Sequence, residues 1–204
     1  MMKRIAILSL VFLCCANLAV SGEKGRTGLR FGLGITNVFG SDADLEGYDR
    51  SSELGIYFGG HVTYLFTPRL AIQPELSMER KGVKYTSDDL TITARYEYFQ
   101  LGLFARASVL PSLATDPYVY VGPVYGFSLS ARWKGDTETL ASSIEIPGRK
   151  SEFSLVGGAG IRIQLNSWSE LLVEARIGSA LTNVAEDLAS RNQVAMFAIG
   201  WAYE

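Results

Sequence analysis

The residues that could do chemistry are few. The chain holds a single histidine, His61. A Ser–His–acid site would have to use it, with Ser77 or Thr63 and Glu75 as partners brought near on neighbouring strands. His61 stands among inward polar residues of an alternating stretch, and no catalytic residue is assigned. Gly32-Leu33-Gly34 has no phosphate-loop pattern behind it and reads as strand glycine. Asp42, Asp44, Glu46 and Asp49 could meet a calcium ion. Their spacing is not that of a calcium loop, so they read as a solvated acidic loop and no metal is expected. What remains is a set of charged residues at alternate positions: Glu75, Glu79, Lys81, Arg106, Arg132, Arg162, Glu174 and Arg176. Their chemistry is mutual neutralisation. Projected into a narrow bore, charges of both signs pair and fill it as a plug; a proton or solute path is the sharper alternative.

Strands must position these groups. In LAIQPELSMERKG, residues 70–82, Leu70, Ile72, Pro74, Leu76 and Met78 form one row. Ala71, Gln73, Glu75, Ser77, Glu79 and Lys81 form the other. Side chains of a strand alternate between faces, so one face is apolar and the other ionic. The same alternation marks strands over 28–39, 53–66, 70–85, 92–109, 117–133, 151–165, 170–181 and 193–203. On the second, Ile56, Phe58, Val62, Tyr64 and Phe66 oppose Gly55, Tyr57, Gly59, His61 and Thr63. On the fifth, Ser128, Ser130 and Arg132 are expected to continue the inward row of Tyr120 and Gly122. The connections alternate between longer polar segments and short turns. An even number of long alternating strands with that asymmetry predicts an all-β fold: an eight-stranded antiparallel up-and-down transmembrane barrel, apolar rows on lipid and ionic rows inside. Rings at Tyr57, Phe58, Tyr64, Phe66, Tyr96, Tyr98, Phe99, Tyr118, Tyr125, Phe127, Trp133, Trp168, Trp201 and Tyr203 are expected at the water–lipid boundaries. The polar segment VAEDLASR, 184–191, could form one helical turn.

Residues 1–21 read as a secretory signal peptide: Lys3 and Arg4 precede an apolar run to Val20, with Ala19 and Ser21 before the cleavage point. Residues 22–204 then form the barrel domain. Both cysteines, Cys14 and Cys15, lie in the apolar run, behind bulky Val11, Phe12 and Leu13 that disfavour lipidation, so the mature chain has neither disulfide nor thiolate chemistry. Removing Lys3 and Arg4 from the 19 basic residues leaves 17 against 21 acidic ones, a net of −4 that argues against a nucleic-acid partner. With no run of ~20 apolar residues after the signal, membrane residence requires a closed barrel.

QPELSMERKG, YFQLGLFARAS, PYVYVGPVYGFSLSA, LVEARIGSALTNV and the closing NQVAMFAIGWAY together resemble the outer-membrane β-barrel domain family of Bacteroidota, the PorT-like barrels, over essentially the whole mature chain. Two departures stand out. The family often carries an acidic residue and a proline where Gln100 and Gly102 stand, and it usually ends on an aromatic residue, whereas Glu204 follows Tyr203 here. The resemblance implies residence in the cell outer membrane, contact with its lipid and its assembly machinery, and no assigned activity or cofactor. One branch takes part in protein secretion. The expected function is a non-enzymatic structural or surface-interaction barrel. The alternatives are a secretion accessory with a partner protein, or a soluble lipocalin-like barrel with the opposite sidedness.

Overall fold

The computed structural model describes residues 25–44, 46–88, 90–111, 114–137, 141–145, 150–184 and 189–203. The expected signal peptide, both cysteines and residues 185–188 of the proposed helical turn lie outside them; the end of that segment, Ser190 and Arg191, is strand. Nine strands follow in order: β1 (Gly25–Gly40), β2 (Asp49–Leu65), β3 (Leu70–Thr86), β4 (Leu90–Ser108), β5 (Thr115–Thr137), β6 (Ala141–Glu145), β7 (Ser151–Gln164), β8 (Ser169–Ala180) and β9 (Ser190–Tyr203). All pair antiparallel, and β1 closes on β9 in register from Thr27 against Tyr203 to Gly40 against Ser190. Eight strands make the wall. The ninth, β6, folds back on the end of β5, Arg132 against Glu145 to Asp136 against Ala141. The segment after Trp133, expected as loop, is thus partly a hairpin.

Sidedness follows the alternation. On β9 every odd residue from Arg191 to Tyr203 is exposed and every even one from Ser190 to Ala202 is buried. Leu29, Phe31, Leu33 and Ile35 on β1, Val119 and Val121 on β5, Val173 and Ile177 on β8, and Phe197 and Ile199 on β9 all face outward. Ile177 is 67% and Phe197 75% exposed, on a surface whose opposite face holds Arg30 at 1%. A continuous apolar outer wall of that extent faces hydrocarbon, not water. The soluble-barrel alternative requires the reverse and is excluded.

Rings cluster at the turn end of the wall, where Trp168 stacks on Tyr203 at 5.6 Å beside Trp201. Near the loop end, Tyr125 and Phe127 meet edge to face at 4.9 Å. Tyr57, Tyr96, Tyr98 and Tyr118, expected at the boundaries, are instead buried inside. They occupy inward parity positions, and the interior gives the hydroxyls of Tyr98 and Tyr118 polar partners.

A transmembrane strand needs ~9–11 residues, and β2 to β5 are far longer. Their outer ends obey a different rule. One extra residue on β2 between Ser52 and Ile56, and one on β5 between Ser128 and Ser130, break the register at one height. The row joining them runs Ile56, Arg80, Glu97, Ser130. A single inserted residue swaps the faces of all that follows. Beyond the β5 bulge Ala131 and Trp133 turn inward, and Arg132 turns out to solvent. The expected lumenal position of Arg132 is therefore corrected: the alternation was counted through the bulge. Above this height the wall has an apolar interior and a charged exterior, as a water-soluble barrel does.

The lipid face sets one expectation. Phe197→Arg, at mid-wall, should lower the unfolding free energy by about 2–4 kcal/mol, and Gln193→Arg, nearer the loop end on the same row, by about 0–1 kcal/mol. Urea titration in phospholipid vesicles reads both. Equal costs would contradict the sidedness.

Candidate functional site

The bore is filled in tiers. Nearest the turns, Arg162 donates to Glu170 at 2.7 Å and to Asp116 at 3.3 Å, and Arg26 reaches Glu170 at 3.1 Å. In the middle, β1 supplies Arg30, which bridges Glu75 of β3 at 2.7 Å and Glu174 of β8 at 3.0 Å, and donates to Gln73 at 3.1 Å. Arg176 of β8 holds the other oxygen of Glu75 at 3.0 Å. Tyr118 and Tyr120 of β5 donate their hydroxyls to the two oxygens of Glu174. Arg176 also lies 4.6 Å from the Tyr57 ring centre, and Arg106 lies 3.6 Å from that of Tyr118. Such stacking suits a guanidinium removed from water.

Toward the loops a lysine takes over. Lys81 pairs with Glu79 at 3.2 Å and with Glu152 of β7 at 2.7 Å. Gln100 donates to Glu79, and Ser154 and Asn192 donate to Glu152. Above that tier the interior turns apolar. Val38, Val83, Tyr85, Ala94, Tyr96, Tyr98 and Val184 pack together, with Ile92, Ala131 and Trp133 against them. The Tyr85 hydroxyl donates to the carbonyl of Ala43 in the first outer loop at 2.8 Å, tying that loop down as a cover.

Of the eight charged residues expected in the bore, seven are buried there: Glu75, Glu79, Lys81, Arg106, Arg162, Glu174 and Arg176. Six make ion pairs and Arg106 stacks on Tyr118; Arg132 lies outside. Four further bore residues, Arg30, Asp116, Glu152 and Glu170, were not singled out by sequence. Arg30 was within reach, since it alternates with Leu29, Phe31 and Leu33. Asp116, Glu152 and Glu170 sit at strand ends, where alternation has too few positions to set a face.

Among the described residues no Ser–His–acid site is assembled. His61 does stand opposite Glu75 in the β2–β3 register, but Glu75 spends its two oxygens on Arg30 and Arg176. The His61 Nδ1 is buried without a hydrogen-bond partner. Ser77 donates to Gln100, and Thr63 to Gln73. In the acidic loop Asp42 accepts from the Ala189 backbone and Asp44 pairs with Arg50. Among the described residues no three acidic, His or Cys side chains converge.

Cutting one bridge should therefore strand cations. Glu75→Ala removes the carboxylate of Arg176 and half the pairing of Arg30, with an expected loss of about 3–5 kcal/mol. Arg132→Ala should leave the unfolding midpoint unchanged. The temperature at which the folded band converts to the unfolded one on gels measures both. Equal behaviour would mean that the buried pairs are not what stiffens the bore.

Among solved structures, the chain is similar to Neisserial surface protein A, at 11% identity over 85% of this chain and 95% of that one, with a TM-score of 0.49. It is also similar to the outer-membrane protein OprG from Pseudomonas aeruginosa, at 14% over 89% and 97% with 0.48. A third is Ail, the attachment invasion locus protein of Yersinia pestis, at 16% over 88% and 99% with 0.45. No curated protein matches the sequence. The decisive match is to a family. Residues 23–186 fit the model of the outer membrane protein beta-barrel domain. The closed lipid-facing wall and this match together place the chain in the outer-membrane β-barrel domain family, as a protein of the cell outer membrane.

Proposed function

We propose that this protein is a non-enzymatic, non-conducting outer-membrane barrel that presents a rigid outer surface for interaction. The observation that carries the reading is the double closure of the bore. A conducting pore needs continuous water, and an eight-strand interior is just wide enough for side chains to fill. Here ion pairs fill the transmembrane part and an apolar cluster covers its outer end. The eight residues first singled out divide accordingly: seven belong to the plug and Arg132 to the outer surface.

The parts that meet the outside are then the extended ends of β2 to β5, the β5–β6 hairpin and the polar loops. Residues 1–21 act as the export signal in this reading, and 22–204 as the barrel delivered to the assembly machinery. Among the described residues nothing in the bore supports hydrolysis, because His61 has neither an orienting acid nor an activated hydroxyl beside it. A PorT-like role as accessory to protein secretion is compatible with the same surface; it rests on the sequence resemblance alone.

Liposomes carrying the purified barrel should swell in isotonic disaccharide no faster than empty ones. Swelling at a porin's rate would refute the plug. A short epitope inserted at Gly47, an exposed loop position with open space around it and φ +81°, should be bound by antibody on intact cells. Labelling only after lysis would reverse the orientation.

A further inference from the structure

Charge outside the barrel is segregated by height. The first outer loop carries Asp42, Asp44, Glu46 and Asp49, and the β3–β4 connection carries Asp88. Immediately beyond the apolar wall the balance inverts on β3 to β5. Arg80, Lys84, Arg95, Arg132 and Lys134 occupy outward positions there, against Glu53 and Glu97. Arg95 and Arg132 are direct cross-strand partners, and Arg95 is paired with Glu53. Five outward cations thus lie together on β3 to β5, next to hydrocarbon, in a protein of net negative charge.

That level also has a seat. A crevice of 250 Å³ opens on the outer wall between β2, β3 and β4, lined by Phe58 and Met78 below, by Ile56, Arg80 and Glu97 at the height of the bulges, and by Glu79 and Tyr98. Among the described residues Arg80 has no ion pair, and its Nε is buried without a hydrogen-bond partner. Lys84, further out on the same row, has no carboxylate among the described residues. Arg95 is drawn across Gly82 to Glu53 at 2.5 Å, which keeps its side chain lying along the same surface. A Cβ at residue 82 would come within 3.1 Å of Glu53, so the absent side chain leaves that path clear.

We propose that this crevice docks a phosphate-bearing lipid of the outer leaflet. One acyl chain runs down Ile56, Phe58 and Met78, and the phosphate is met by Arg80 and Lys84 with Arg95 at its flank. The apolar floor, the cationic head and the height at the end of the lipid-facing wall select an amphiphile of this polarity over a soluble anion or a protein strand. The proposal rests on the outer-membrane residence established above and on the loops facing outward.

The test uses the full mature barrel in nanodiscs of phosphatidylcholine containing a minor fraction of dioleoyl phosphatidic acid. It is released into the gas phase from them for native mass spectrometry. The expected result is retention of phosphatidic acid over phosphatidylcholine. Retention should fall about fivefold for Arg80→Gln and by a similar further factor for Arg80→Gln with Lys84→Gln. Lys150→Gln with Arg191→Gln, exposed cations beside β7 and on β9, should leave it unchanged. Equal retention of the two lipids overturns the proposal. So does an equal fall in both double variants, since diffuse attraction of headgroups would then explain the adducts. The heat shift of the folded band is measured on each sample. A variant that keeps the shift and loses the lipid reports on the seat, whereas loss of the shift reports on the barrel.

Discussion

A sheet in hydrocarbon can have no edge. Each unpaired backbone N–H or C=O there costs several kcal/mol, so the seam between β1 and β9 is the condition on which the rest depends. It runs the length of the wall, Thr27 with Tyr203 to Gly40 with Ser190. Closing the sheet creates an inside that water does not freely reach. From that moment the inward row must neutralise itself, and the outward row must be apolar. Both requirements fall on alternate residues of the same strand, which is why a stretch such as residues 70–82 reads as two interleaved sequences.

The interior answers with shared partners. Glu75 binds Arg30 and Arg176, Glu174 binds Arg30 and two tyrosine hydroxyls, and Glu152 binds Lys81, Ser154 and Asn192. Each carboxylate thereby spans strands that are not neighbours in the wall, β1 to β3, β3 to β8, β3 to β7. Buried pairs of this kind are weak evidence of net stability, because desolvation offsets much of their attraction. Their effect is to make the bore specific: a strand slipped by one residue would put an arginine on lipid.

The membrane boundary is written into the backbone. Two bulges at one height, on β2 and β5, exchange the faces of the strands that carry them. Below them the barrel is apolar outside and ionic inside; above them it is ionic outside with a packed aromatic core. One chain thus serves two solvents without a separate domain, and the cationic exterior begins where the apolar exterior stops.

Alternation along single strands was enough, before any coordinates, to identify a closed eight-strand barrel with apolar rows outward and seven of the bore charges inward. Period-two patterning is local, and the sign of the faces follows from which row carries the charge. Residue order did not reveal which charge meets which, because Glu75 and Arg176 lie 101 residues apart and are joined only by closure. Nor did it reveal Arg132 as an outward residue or Tyr118 as an interior one. A bulge is a property of two strands in register, and a ring's place between boundary and core depends on the polar partners the interior provides. Sequence determined the faces of each strand; the closed wall decided the partners, the two bulges and the height at which inside and outside change character.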